Sequence, residues 1–176
     1  DLRDQVAYFE KATKDENPAS DTGPLGTPAV SKTETTEFKS WFRRSAVKDE
    51  NGNPAVVYHG TPTAWGLGDF TEFDAQAARK KFNRPPGMDQ VGSWFSSKPG
   101  RDGAELYAGS RAESQPAIYP VYLSIQRPFL MSFPEFLELG QKVGGWKQGD
   151  PKGRFDGAKV REYLQERGWD GILFEE

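Results

Sequence analysis

Between residues 117 and 132 the chain reads AIYPVYLSIQRPFLMS, with Tyr119, Val121, Leu123 and Ile125 at every second position. A period of two sets these four side chains on one side of a long extended strand, which commits one face of a sheet to a core. Further strands are expected at Ala55 to Tyr58, at DFTEFD (69–74), at VGSWFSS (91–97) and at the closing GWDGILF. Asn51-Gly52 supplies the positive φ angles of a two-residue hairpin turn leading into the first of these. Helical segments lie between the strands. Ser132 to Glu135 forms a capping box that opens a helix with Phe133, Phe136 and Leu137 inward. Asp156 caps a second helix, with Val160, Tyr163 and Leu164 inward and Gly168 at its end. Ala104, Leu106, Tyr107 and Ala108 suggest a third, and residues from Phe38 a helical turn. Five or six short strands and three or four short helices without strict βαβ alternation make an α+β domain, its sheet mostly antiparallel.

The N-terminal part reads differently. Leu2, Val6, Phe9 and Ala12 have rough helical spacing, so a short amphipathic helix is expected over residues 1–16. Residues 17–37, rich in Pro, Gly, Ser and Thr, are expected to be a flexible linker. The folded domain is then 38–176. Residues 75–90 and 144–154 are expected to be loops, the first mobile. No internal repeat is visible. A start without Met suggests an excised or processed piece of something longer.

Composition narrows the function. The 176 residues suit one domain. Only 35% are apolar, and 19 Gly and 13 Pro make the chain loop-rich, but 13% aromatic residues can build a core. A net charge of −3 carries no broad electrostatic footprint for nucleic acid. Without cysteine there is no disulfide or thiolate metal site, and a single histidine makes a zinc site a poor prospect. No metal is expected. No apolar run approaches the ~20 residues of a membrane span, and residues 1–17 lack a secretory apolar stretch. A soluble monomer is expected.

Three motifs bear chemistry. The lone histidine sits in Tyr58-His59-Gly60-Thr61, at a strand end, where the glycine lets a ligand approach the backbone. By composition alone, a satisfied core or edge histidine is the commoner outcome. In Gly92-Ser93-Trp94-Phe95-Ser96-Ser97 an aromatic pair adjoins two hydroxyls, which suits a flat heteroaromatic ligand; an ordinary aromatic strand has the same letters. After the last apolar strand come Glu175 and Glu176, of which only one can face a cleft. Arg79, Lys80, Lys81 and Arg84 could meet phosphates, although a charge run in such a loop is more often solvated. No phosphate-binding glycine loop, GxSxG elbow or HExxH occurs.

In order, EFKSWFRRSAVKDENGNPAVVYHGT, DFTEFD, VGSWFSS, AELYA, YPVYLSIQRPF and LQERGWDGILFEE resemble the ADP-ribosyltransferase domains of phage and mobile-element polyvalent proteins. These are relatives of the poly(ADP-ribose) polymerase and diphtheria-toxin branch. The resemblance runs over about residues 38–176, its opening block being the most specific. It implies an ADP-ribosyltransferase-like split sheet with nicotinamide held between the halves, and transfer of ADP-ribose from NAD to a macromolecular acceptor. Of the branch's His, Tyr, Glu triad, His59 takes the first place and would bond a ribose hydroxyl. The Gly60 backbone would grip the nicotinamide amide, with Tyr58 and Thr61 beside it. Trp94 stands where the branch has tyrosine, followed by Phe95. Tyr107 matches a second tyrosine that closes on the ring. Three residues earlier Ala104 replaces an amide-binding serine, a task Ser96 or Ser97 could assume. The acid would be Glu176, with Glu175 second. In much of the family a further strand follows and can supply it, which leaves an acid beyond Glu176 as the alternative. The resemblance also implies a single ADP-ribose per event and a host protein as acceptor. The setting would be the cytoplasm of a phage-infected bacterium, or that of a secreted effector. NAD glycohydrolysis and a catalytically silent NAD- or ADP-ribose-binding or interaction module are the competing readings.

Overall fold

The computed structural model describes residues 5–8, 32–62, 87–108, 116–144 and 155–175. Six strands form one sheet in the order β4-β2-β3-β1-β6-β5: β1 Gln5–Tyr8, β2 Val57–Pro62, β3 Ser93–Ser96, β4 Pro116–Val121, β5 Pro128–Met131 and β6 Gly171–Phe174. All pairings are antiparallel except β5 with β6. Four helices accompany them: α1 Thr36–Phe42, α2 Ala104–Ala108, α3 Phe133–Gly144 and α4 Gly157–Gln165. The fold is α+β, as the element count implies. Both outer strands carry prolines, Pro116 and Pro120 in β4 and Pro128 in β5. A residue without an N–H is tolerated at an edge and discourages further pairing there.

Each sheet face has its own core. On one face Phe95, Val57 and Val47 pack with Val121, Leu123 and Ile125. On the other, α3 and α4 bring Phe136, Val160 and Leu164 onto Ile172, Phe174 and Trp94. Alternation along β3 assigns Trp94 and Phe95 to opposite cores.

The local signals act where they were expected. Glu135 accepts from the Ser132 N–H at 2.6 Å and from its hydroxyl at 2.8 Å, closing the capping box. The backbone bond and then the hydroxyl hold the Glu135 carboxyl below its usual range. Asp156 accepts from Lys159 N at 3.2 Å, and Gly168 takes φ 81° beyond α4.

Four expectations change. Residues 5–8 are a strand in the middle of the sheet, not part of a helix. Helical spacing over a few residues is a weak signal, and two neighbouring strands override it; the rest of 1–16 lies outside the described residues. The expected linker ends early, because Lys32–Glu34 form a 3-10 turn and Thr35 caps α1 through its bond from Phe38 N at 3.1 Å. At the first turn only Gly52 has positive φ, 82°. The Asp49 carboxylate accepts from the Asn51 and Asn53 N–H groups, and Asp49 N donates to Asn53 O, so the loop has three residues, not two. The long strand of 117–132 is two, β4 and β5. Between them side chains take the backbone donors. Ser45 Oγ accepts from Ile125 N, and the Asp170 carboxylate accepts from Gln126 and Arg127 N at 2.7 and 2.8 Å.

Of the loop expected over 75–90, Met88–Gln90 form a 3-10 turn with Gln90 fully buried. DFTEFD, the cations Arg79, Lys80, Lys81 and Arg84, and residues 145–154 lie outside the described residues.

Candidate functional site

The sheet parts at its histidine. β2 pairs along its whole length with β4, from Val57 opposite Val121 onward. With β3 it shares a single register pair, Tyr58 opposite Ser96. Continued pairing would set His59 opposite Phe95 and Gly60 opposite Trp94, but the strands separate instead. Into the gap opens a cavity of about 270 Å³, lined by Tyr58, His59, Gly60, Met88, Asp89, Trp94, Phe95, Ser96, Ala104 and Phe133. Small-molecule pockets run from ~300 to ~1,000 Å³, so this one suits a single ring system better than a whole dinucleotide.

His59 ties the two strands together across the parting. Its Nδ1 lies 2.8 Å from the Trp94 carbonyl oxygen. A carbonyl only accepts, so Nδ1 carries the hydrogen and Nε2 the lone pair. Burial pulls the imidazole pKa below its ordinary value, and the bond to Trp94 only partly opposes that. His59 is therefore neutral at pH 7. Its ring leans on Phe95, centroids 5.4 Å apart.

Gly60 sits where α2 crosses β2. A Cβ there would fall on the Ala104 carbonyl oxygen and come within 3.2 Å of the Ala108 methyl. Only glycine lets the helix lie this close, and the contact makes Ala104, 2% exposed, part of the cavity wall.

Trp94 lines the cavity with a ring already in use. It stacks on Phe174 at 5.6 Å and 13°, and meets Phe136 edge-on at 5.7 Å. Its Nε1 donates to the Met88 carbonyl oxygen at 3.1 Å. Phe95 and Ser96 are buried in the wall, and Ser96 Oγ accepts from Lys98 N at 3.1 Å. Thr61 is buried beside the cavity without lining it, and Ser97 is exposed away from it. Glu175 is exposed too, its N–H bonded to Met131 O, and it does not line the cavity. Tyr107 lies on α2; its side chain and the whole of Glu176 lie outside the described residues.

Met88, Asp89 and Phe133 escaped the sequence reading. Phe133 was assigned to a helix stripe, and Met88-Asp89 to a mobile loop. Their one local signal is proximity: a turn ending two residues before β3 has little chain with which to leave that strand's end. Among the described residues no group of three His, Cys, Asp or Glu could hold a metal ion, and no helix is long and apolar enough to cross a membrane.

A mostly antiparallel sheet that parts beside a neutral histidine, with aromatic side chains around a ring-sized gap, defines an α+β domain with a cleft between two of its strands. A family model, ADP-ribosyltransferase in polyvalent proteins, matches residues 49–176, and the chain belongs to that family. ADP-ribosyl transfer is the family's activity. No curated protein and no solved structure matches the chain.

Proposed function

We propose that the domain binds NAD with the nicotinamide ring in the 270 Å³ cavity and transfers single ADP-ribose units to a macromolecular acceptor, a host protein. The observation that carries this reading is His59. Its Nδ1–H goes to the Trp94 carbonyl, so the ring stands in the cavity wall as a neutral imidazole whose lone pair is on Nε2, the form that can meet a ribose hydroxyl. In the reaction the bond from ribose C1′ to the ring nitrogen breaks and its electron pair leaves with nicotinamide. The acceptor's nucleophile forms the new bond to C1′ and loses its proton. The chain's part is positioning: His59 orients the sugar, the Gly60 backbone holds the amide, and apolar walls exclude water.

With labelled NAD and a bacterial lysate, a labelled protein band and released nicotinamide are expected. His59→Ala should lower nicotinamide release about 100-fold, the scale of a lost orienting contact at the reacting centre. Release that is unaffected by His59→Ala defeats the proposal.

The pH dependence has a definite sign. His59 binds no proton in the folded state at pH values where the unfolded chain, with its ordinary pKa of 6.5, already does. Between 6.5 and the lower folded value, stability therefore falls as pH falls; above about 6.5 the His59 contribution is present in full. kcat/KM for NAD should be flat above pH 7 and decline only below 6.5. A decline centred at or above 6.5 would assign the titration to another group.

The exposed Glu175 and the committed Trp94 ring favour a second reading, an NAD-binding module without turnover. Calorimetric binding of NAD with no nicotinamide release selects it. Release without labelled acceptor selects hydrolysis.

A further inference from the structure

Among the described residues the cavity wall is mostly apolar and carries charge at one place. His59 is neutral there, and no Lys, Arg or Glu is among the described lining residues. Among the described lining residues Asp89 is the single carboxylate, an exposed side chain at the rim.

Its position is held from two sides. The indole of Trp94 donates to the carbonyl oxygen of Met88, the residue before it. Gln90 N donates to Gly87 O and Val91 N to Met88 O, while Gln90 and Val91 are fully buried. Behind the turn, α4 begins at Gly157, where a Cβ would fall on the Gly87 carbonyl oxygen. A turn pinned by β3 in front and α4 behind keeps Asp89 at the rim. The Trp94 N–H thus serves the turn.

We infer that Asp89 is a selectivity-determining residue that favours a cationic heteroaromatic ring in the cavity over a neutral one, with Trp94 positioning it through Met88. This rests on reading the cavity as a nicotinamide site. The pyridinium of NAD carries a positive charge, whereas the same ring is neutral in NADH and in released nicotinamide. A carboxylate beside an apolar pocket attracts the first and is indifferent to the other two. The arrangement admits the reactive, oxidised form of the dinucleotide and does not retain the departing ring.

The test compares two small rings by ligand-observed NMR titration into the full chain: the 1-methylnicotinamide cation and neutral nicotinamide. Wild type should prefer the cation about fivefold, the scale of one partly solvated charge contact. Asp89→Asn should erase the preference and leave nicotinamide affinity unchanged. Trp94→Phe, which keeps a ring against Phe174 and removes the N–H, should reduce the preference without abolishing ring binding. Preference surviving in Asp89→Asn, or equal weakening of both rings, overturns the inference alone, as does equal binding of both rings by wild type. Failure of both rings to bind wild type overturns the cavity reading, and the inference with it.

Discussion

Gly60→Ala is expected to abolish nicotinamide release and to lower the thermal midpoint by roughly 5–10 °C. The added methyl has nowhere to go, because its site coincides with the Ala104 carbonyl oxygen, a backbone atom that no rotamer change can move. Either α2 lifts off β2 or the β2 backbone twists away. Overpacking of this kind costs about 1–3 kcal/mol, and for a chain of this size each kcal/mol lowers the midpoint by about 2–4 °C. Both escapes damage the cavity, since Gly60 and Ala104 form its wall and His59 is the neighbouring residue on the strand. Ala104→Gly is the useful contrast: it removes a 2%-exposed methyl but leaves the carbonyl in place, so the cavity should survive in a less stable protein. Differential scanning fluorimetry and a nicotinamide-release assay on the two variants decide the matter. Wild-type behaviour of Gly60→Ala in both would show that α2 does not rest on Gly60 in solution.

How much of this could be read from the residues depends on the range of the interaction. The Ser132–Glu135 box, the Asp156 cap and the Gly168 turn are contacts within a few residues, and their letters announced them. The alternation of Val121, Leu123 and Ile125 placed them correctly on one core. It did not reveal that the strand stops after Val121, because the groups that interrupt it, Ser45 and Asp170, lie about 80 residues before and 45 after the break. Competition for a backbone N–H by a distant side chain leaves no mark on the strand's own sequence.

The same division runs through the site. His59, Gly60, Trp94, Phe95 and Ser96 were all named from short motifs, and all of them line one cavity. What joins them was not legible. The bond from His59 to the Trp94 carbonyl exists because β2 and β3 part after one register pair, a property of two strands together. Trp94 was expected to stack on a ligand; its ring stacks on Phe174, 80 residues away. Asp89 was hidden in a polar stretch, where nothing local separates a pinned turn from a solvated loop.

Ala7→Pro is expected to be the most damaging single change in a segment that the sequence sets outside the folded domain. Strand β1 lies outside the residues matched by the family, yet it sits at the centre of the sheet. It pairs with β3 from Gln5 opposite Ser96 to Tyr8 opposite Ser93, and with β6 from Val6 opposite Leu173 to Tyr8 opposite Gly171. Among the described strands, the ladders of β3 and β6 therefore connect only through β1. Ala7 is the residue flanked by Trp94 on one side and Ile172 on the other. Proline there removes an N–H from a central strand, where the residue is hardly ever tolerated, and orphans a carbonyl at about 1–3 kcal/mol. Detachment of the strand adds to that cost. It also leaves two open edges, on β3 and β6, as templates for pairing with other chains. The expected result is a fall in thermal midpoint of about 5–10 °C, with concentration-dependent oligomers. Hydrogen exchange gives the sharper readout: amides of Ser93 to Ser96 and Gly171 to Phe174 should lose protection, while those of α3 keep theirs. Nicotinamide release should fall at least about tenfold, because the Trp94 wall of the cavity rides on β3. If the segment were instead a helix apart from the domain, Ala7→Pro would leave the exchange of β3 and β6 untouched, and that result would remove β1 from the sheet.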